Sequence, residues 1–521
     1  MKSKKILYIL LFIALNLIAW IRETQNGSVW AVAINSMGLV IMLMIMSAYP
    51  IKEMINRISG LWTLICIIIM VGLGLYWREI PVLVWKYVSG CLNLWWIGIM
   101  SILLLRRFRS GKLKLPQMNG LAILGLLLAL IMIVSASGRV WPIWFLFMYG
   151  IFYLTEYTEI EKKALIEAMV DGSILSFFLL QGFAYGFRPY DEVRYKGPFS
   201  NCNMTALYYL IIFSMVMIKI HFLRVKGAKK CWYALLTFLA GVLLAFQFVT
   251  LCRTVWLSVV VVIGVYGIWV FRGVWKDSWG KILVKAAVLG CSAVIAFPLV
   301  FLSIRWFPTI LHRPVWFEGE YTENKVHSFD PADSWKYVEI DEFLDTVKER
   351  FSQILSVVDD WKFFVLEVKA QEEIPILDES KEWNSAQMRM AIWEAYWSDL
   401  NWRGHSEQEG YYQITKDYRC WHAQNLWLQI AYYYGIPAGI VLVILTVYMI
   451  YFYLGRYRKG LNNRQYGIIP ITIILVYFTF GMFETTWNIG QLVVNLFFIV
   501  QHPMFWKESH RVVGKEKYVK I

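Results

Sequence analysis

Charge is what this chain has least of. Only 17% of its 521 residues are Asp, Glu, Lys or Arg, against 58% hydrophobic, and the mean hydropathy is +0.51. That balance excludes an ordinary soluble globule and indicates a polytopic membrane protein. Strand alternation is also missing from the apolar runs, as in 61–76 and 255–270. Backbone groups left unpaired in lipid are too costly to tolerate, so spans without alternation must be helices. Cysteine is sparse: seven residues, mostly inside apolar runs, with no CxxC or Cys/His spacing of the kind that binds metal. Cys202 and Cys420 fall on the same expected side, which leaves a disulfide between them open. The sequence has no Gly-rich phosphate loop, no HExxH and no Asp-x-Asp, so nothing in it argues for a nucleotide, a divalent metal or another cofactor. Internal repeats and low-complexity tracts are absent as well.

What is present is a set of long apolar runs separated by short loops. Their lengths predict an all-α polytopic protein with about 14 transmembrane helices. The net charge of +14 is concentrated in alternate loops: Lys2, Lys4 and Lys5; Arg106, Arg107 and Arg109; Arg224, Lys226, Lys229 and Lys230; Arg272, Lys276 and Lys281; Arg456, Arg458 and Lys459. The positive-inside rule accounts for this pattern without nucleic acid as a partner, and it puts both termini in the cytoplasm of a multi-pass cell-membrane protein. The N-terminal run, Met1 to Trp20, has no small-residue cleavage site before Arg22-Glu23 and reads as an uncleaved first span.

Four regions follow: N-terminal transmembrane helices at 1–186, central helices at 187–303, a polar region at 304–424, and C-terminal helices with a short basic tail at 425–521. By loop alternation the polar region lies outside the cell. It is acidic, yet it carries Phe343, Val347, Phe351, Ile354 and Leu355 at helical spacing and many tryptophans, so it reads as a mainly helical loop domain.

Positive charge on the outer side runs against the insertion bias, which makes its few occurrences informative. Arg194 opens Arg-Tyr-Lys-Gly-Pro-Phe-Ser-Asn-Cys-Asn (194–203), a tight polar turn directly before a span. Such a turn offers Lys196, Asn201, Asn203 and backbone NH groups to an anion, or it simply caps the helix that follows. Arg253 lies at the mouth of an apolar run, where a guanidinium needs a cavity or a partner. Arginine forks bind phosphate oxygens in pairs, and snorkelling to lipid phosphate is the plainer use of the same residues. His422, with Gln424 and Asn425, stands where the polar region meets the next span; its ordinary pKa of about 6.5 suits a general base, and a hydrogen-bonded residue at a helix start is the structural alternative. Glu484 ends another span on the same side. Glu167 and Asp171, four apart near a cytoplasmic helix start, read as a solvated helix end before they read as a proton relay.

These segments carry a resemblance. Residues 194–203 resemble the Arg-x-x-Gly-x-Phe-x-Asn-Pro-Asn turn of the O-antigen ligase and O-antigen polymerase family of bacterial surface-polysaccharide assembly. Leu251 to Leu257 resemble its Ser-Arg-small-x-x-Leu element. Residues 387–395, and then His422 to Gly439, resemble the end of its large external loop and the helix that follows. The chain departs from the family with Asn-Cys-Asn at 201–203 and with Gln424 where a second histidine is common. The resemblance covers roughly residues 190 to 490. It implies a glycosyltransferase C-like fold and a metal-independent, inverting transfer of glycan from undecaprenyl diphosphate to a glycan acceptor, with no cofactor. By the same resemblance, Arg194 and Arg253 would bind the diphosphate, and Arg389 and His422 would be catalytic. Expected partners are the lipid-linked donor, the acceptor, the bilayer and other membrane proteins of polysaccharide assembly. A lipid-linked oligosaccharide flippase or exporter is the competing expectation.

Overall fold

The computed structural model describes residues 2–24, 30–46, 56–109, 119–138, 141–154, 158–186, 190–191, 194–199, 201–310, 340–360, 385–406, 412–413, 419–420, 422–458, 466–487 and 490–505. The described chain is helical almost throughout. In order it runs α1 (Lys2–Thr24), α2 (Trp30–Met46), α3 (Arg57–Tyr76), α4 (Pro81–Arg109), α5 (Gly120–Val134), α6 (Trp141–Leu154) and α7 (Glu159–Ala184), then a two-strand ladder of β1 (Tyr190–Asp191) and β2 (Arg194–Tyr195). It continues with α8 (Cys202–Val225), α9 (Lys230–Val249), α10 (Arg253–Val265), a π-helix (Tyr266–Val274), α11 (Trp279–Ile310), α12 (Ile340–Asp360) and α13 (Ser385–Ser398). A second ladder pairs β3 (Tyr412–Gln413) with β4 (Arg419–Cys420), and α14 (Leu426–Tyr434), α15 (Ile436–Arg458), α16 (Ile468–Gly481) and α17 (Leu492–Val500) follow. Both ladders are antiparallel, Tyr190 opposite Tyr195 and Tyr412 opposite Cys420.

Eight of these helices are long and apolar enough to cross a membrane: α1, α3, α7, α8, α9, α10 with its π-helical extension, α11 and α15. Shorter apolar stretches at 33–42, 90–106, 120–134 and 468–481 accompany them. The chain is therefore an all-α membrane protein. Helix α8 is its central post, with 83% of its apolar stretch buried, whereas α3 has only 11% buried and turns Ile58, Leu61, Leu64, Ile68 and Leu75 outward. An apolar surface of that kind is stable only in contact with lipid. Helices α9 and α11 pack closely because Gly241 faces Ser292 and Ala293; an added Cβ there would come within 2.7 Å of Ser292 Cβ and 2.8 Å of the Ala293 nitrogen.

Two features bring the polar region onto the bundle. Helix α12 docks its apolar stripe on transmembrane aromatics: Phe343 meets Phe248, Phe297 and Phe301 at 5.4–5.8 Å, and Phe351 stacks on Trp256 at 5.1 Å. The stripe follows from apolar residues at i, i+4 and i+8. Second, Ile392, Ala395 and Tyr396 of α13 build a small core with Tyr412, Cys420, Ala423, Leu428 and Tyr432. Below that core the chain breaks between α14 and α15 at Gly435, whose φ of 92° is left-handed, and Pro437 sits in the first turn of α15, where its missing NH costs nothing. The Ile436 NH donates to the Asn401 carbonyl and His405 stacks on Tyr432 at 4.0 Å, so this break is the joint between the polar region and the bundle. Cys202 and Cys420 are both buried thiols, and no disulfide joins them. The tryptophans 335, 361 and 383 of the polar region lie outside the described residues.

Candidate functional site

The site forms where α9 hands over to α10. The turn Thr250-Leu251-Cys252 reverses the chain in three residues, which forces the fully buried Leu251 to a φ of 52°. A left-handed leucine costs about 1–2 kcal/mol. The turn sets Arg253 at the first position of α10 and turns the Thr250 carbonyl toward Arg194, whose Nε donates to it at 3.1 Å. Arg194 stands on β2, just before a turn in which Gly197 takes a φ of 62°; a Cβ at that position would come within 2.6 Å of the Thr205 methyl and 2.8 Å of the Tyr209 hydroxyl. Only glycine closes this turn so tightly against α8.

From Arg194 a single polar chain crosses the site. Arg194 Nη2 donates to Asn203 Oδ1 at 2.7 Å, and Asn203 Nδ2 donates to Glu484 Oε1 at 2.6 Å. Arg389 Nη2 lies 3.6 Å from the same carboxylate oxygen, and Arg389 Nε donates to Gln424 Oε1 at 3.1 Å. Gln424 is the second non-glycine residue here with a left-handed backbone, at φ 47°. Residues from the hairpin, from α8, from the segment after α16, from α13 and from the turn before α14 thus meet in one network. Two strained positions beside one polar cluster fit the general tendency of backbone strain to gather at functional sites.

Electrostatics widens the cluster. The charges acting on Arg253 are those of Arg350, Arg389 and Arg194. Arg350 is a further guanidinium, delivered by α12. Burial and the neighbouring Arg194 hold its pKa below the usual arginine range. Burial also pushes the Glu484 carboxyl up, against the opposing pull of Arg389, Asn203 and Arg194, and it raises the Cys252 thiol despite the nearby Arg194 and Arg389. Among the described residues, then, the charges of Arg194, Arg350 and Arg389 bear on Arg253, those of Arg389 and Arg194 bear on the enclosed Glu484, and that of Glu349, on the exposed flank of α12, bears on Arg350. Clustered like charge of this kind attracts anions.

The other candidates take different positions. Asn201 caps α8, and its Oδ1 accepts from the Asn203 NH at 2.7 Å. Asn425 caps α14 by accepting from the Leu428 NH at 3.0 Å, and its Nδ2 donates to the Met482 carbonyl at 3.1 Å. Lys196 is buried in the hairpin, with its carbonyl bonded by Thr205. The His422 carbonyl accepts from the Cys420 thiol at 2.9 Å, and among the described residues no hydrogen bond or ion pair joins its ring to the four arginines or Glu484. That ring is exposed at its own surface but crowded by protein at longer range, which lowers its pKa below 6.5. Glu167 and Asp171 lie at the far end of the bundle in a network of ion pairs with Lys5, Lys219 and Lys226.

Arg350 is the residue that the sequence reading passed over. Its signal was legible: it stands seven residues after Phe343 and three after Val347, inside the apolar stripe of an amphipathic helix, where a charge has to have a purpose or a partner.

Beside the cluster, between α9, α10 and α11, lies an apolar cavity of about 440 Å³ lined by Leu244, Phe248, Trp256, Val259, Val294 and Phe297. Phe248, Trp256 and Phe297 are the same rings that receive α12, so the cavity opens next to the helix that carries Arg350. Among the described residues no three His, Cys, Asp or Glu side chains converge as metal ligands would. Compared with protein-family models, with curated proteins and with solved structures, the chain matches none of them.

Proposed function

We propose that the chain is an integral-membrane glycosyltransferase of the O-antigen ligase and polymerase type. In this reading it moves or polymerises an undecaprenyl-diphosphate-linked glycan onto a glycan acceptor at the outer face of the cell membrane. The reading includes about fourteen spans in a glycosyltransferase C-like arrangement, with both termini on the cytoplasmic side and residues 304–424 as the external loop domain. The observation that carries it is the meeting of Arg194, Arg253, Arg350 and Arg389 beside an apolar cavity at helix ends. A lipid diphosphate has the two properties that this arrangement calls for, a concentrated negative charge and an apolar tail.

The chemistry follows from those parts. The arginines hold the diphosphate and stabilise the charge that grows on it as the anomeric C–O bond breaks; one preorganised donor of this kind typically contributes about 10²–10³ in rate. Glu484 and Asn203 tie Arg389 and Arg194 into one network, which preorganises both guanidiniums. His422 is two residues from Gln424, hence within about 7 Å of it along the backbone. It takes the proton of the acceptor hydroxyl from the open rim. Its lowered pKa keeps the imidazole neutral, and so able to accept that proton, at neutral pH. Attack opposite the leaving diphosphate inverts the anomeric centre.

The purified full-length protein in detergent, given a lipid-linked oligosaccharide and an acceptor, is expected to form a new glycosidic bond and release the lipid diphosphate. Movement of the substrate across a vesicle membrane with no bond formed would instead identify a flippase and overturn the proposal.

A further inference from the structure

A second cavity, of about 470 Å³, lies at the other end of α10 from Arg253, among α8, α9, the π-helix and α11. Helix α10 has 13 residues before the π-helix begins, so about 20 Å of helix separates the two regions. Most of the lining is apolar, with Met217, Ile263, Ile282 and Leu289 among it, while Arg224 and Lys285 reach in at its rim. The rim is built with care. The nine-residue π-helix is a rare conformation, found frequently at functional sites. It ends at Trp275, and Lys276 then turns with a left-handed φ of 52°. That turn brings Asp277 between the cations: Arg224 grips both of its oxygens at 3.2 and 3.3 Å, and Lys285 also bonds to it. Arg272 Nη1 donates to the Asp277 carbonyl at 3.3 Å.

The three cations exceed the one carboxylate by two charges. Arg224 commits two of its five N–H donors and Lys285 one of its three. Among the described residues nothing accepts from the rest, and both side chains keep about a third of their surface open, 31% and 36%. The Arg224 guanidinium lies over the Trp275 ring at 4.3 Å and the Lys285 ammonium over Phe271 at 4.3 Å, so both heads are held beside the apolar opening. Spare donors and surplus charge at the mouth of an apolar cavity call for a phosphate with a hydrocarbon chain attached. The loops on this side carry Lys226, Lys229, Lys230, Lys276 and Lys281, the pattern of the side on which anionic lipids collect. We infer that this cavity binds an anionic glycerophospholipid, with its phosphate on Arg224 and Lys285 and an acyl chain among the apolar side chains. The inference does not depend on the transferase reading.

The test uses the full-length protein in detergent, with equimolar phosphatidylglycerol and phosphatidylcholine competing for it and retained lipid read by native mass spectrometry. Wild type is expected to retain phosphatidylglycerol in about tenfold excess, since each basic residue adds appreciably to the attraction for anionic lipid. Arg224→Gln with Lys285→Gln is expected to bring the two lipids to parity. Val288→Trp, which fills the cavity and leaves the cations in place, is expected to lower the phosphatidylglycerol retained. Because wild type and Val288→Trp leave the ion cluster intact, they decide the matter even where the double variant fails to fold. Equal retention of both lipids by wild type, an undiminished preference in the double variant, or unchanged retention by Val288→Trp would overturn the assignment. So would displacement of phosphatidylglycerol by equimolar undecaprenyl phosphate.

Discussion

Two clusters of charge sit at opposite ends of this bundle, and they are built on opposite plans. At the basic end, Lys5 pairs with Glu167 at 2.9 Å and with Asp171 at 3.0 Å, Lys226 pairs with Glu167 at 2.7 Å, and Lys219 pairs with Asp171 at 2.5 Å. Three ammonium groups alternate with two carboxylates, and the set ties α1, α7 and α8 together. At the other end, the charges of Arg194, Arg350 and Arg389 bear on Arg253, and the enclosed carboxylate of Glu484 is shared between Asn203 and Arg389. The first cluster comes within one positive charge of balance and serves as a staple. The second, among the described residues, gathers guanidiniums around a single enclosed carboxylate, a charge pattern that attracts anions.

Substitutions sharpen the contrast. The largest effect is expected from Arg253→Ala, which should lower glycan transfer by about 10²–10³ with normal membrane levels of the protein. Polymer formed at wild-type rates by that variant would remove Arg253 from the site. Next is Arg350→Ala, expected to weaken donor use by about 10–100-fold, the span of one charge-assisted hydrogen bond. If its KM and kcat match wild type, α12 does not deliver a working guanidinium.

A pH profile separates His422 from both clusters. Its pKa lies below 6.5, so the neutral base is present above that value and is lost as pH falls through it. Transfer should hold steady near neutrality and then drop by about tenfold per pH unit on the acid side. His422→Ala should be slow at every pH and lose that acid limb. A limb that survives in the variant assigns the proton to another group.

The smallest effect belongs to the cluster at the basic end. Glu167→Gln should cost about 1 kcal/mol of stability, since its Lys5 and Lys226 partners are partly solvated, and it should leave transfer per folded molecule unchanged. A thermal melt in detergent reads the first expectation and the elongation assay the second. Loss of transfer without loss of stability would mean that the two ends are coupled.

Sequence by itself determined the class of this molecule and the outline of its two ends. Apolar runs dictate helices in lipid and basic loops alternate along the chain; the break at Gly435, where the polar region joins the bundle, divides a run that reads in sequence as one continuous span over 427–454. Arg194 and Arg253 stood out because a charge beside an apolar run is costly wherever it lies. Tertiary structure alone decided which charges meet. Asn203 and Glu484 are 281 residues apart, and their contact depends on how α8 packs near the end of α16, which no local pattern encodes. Likewise, the aromatic docking of α12 brings in Arg350, and the left-handed turn at Gln424 bonds that side chain to Arg389 while the His422 ring stays outside the cluster. Hydrophobic periodicity is a short-range property and fixes the helices; the electrostatics of the site depend on distances between helices, which only packing sets.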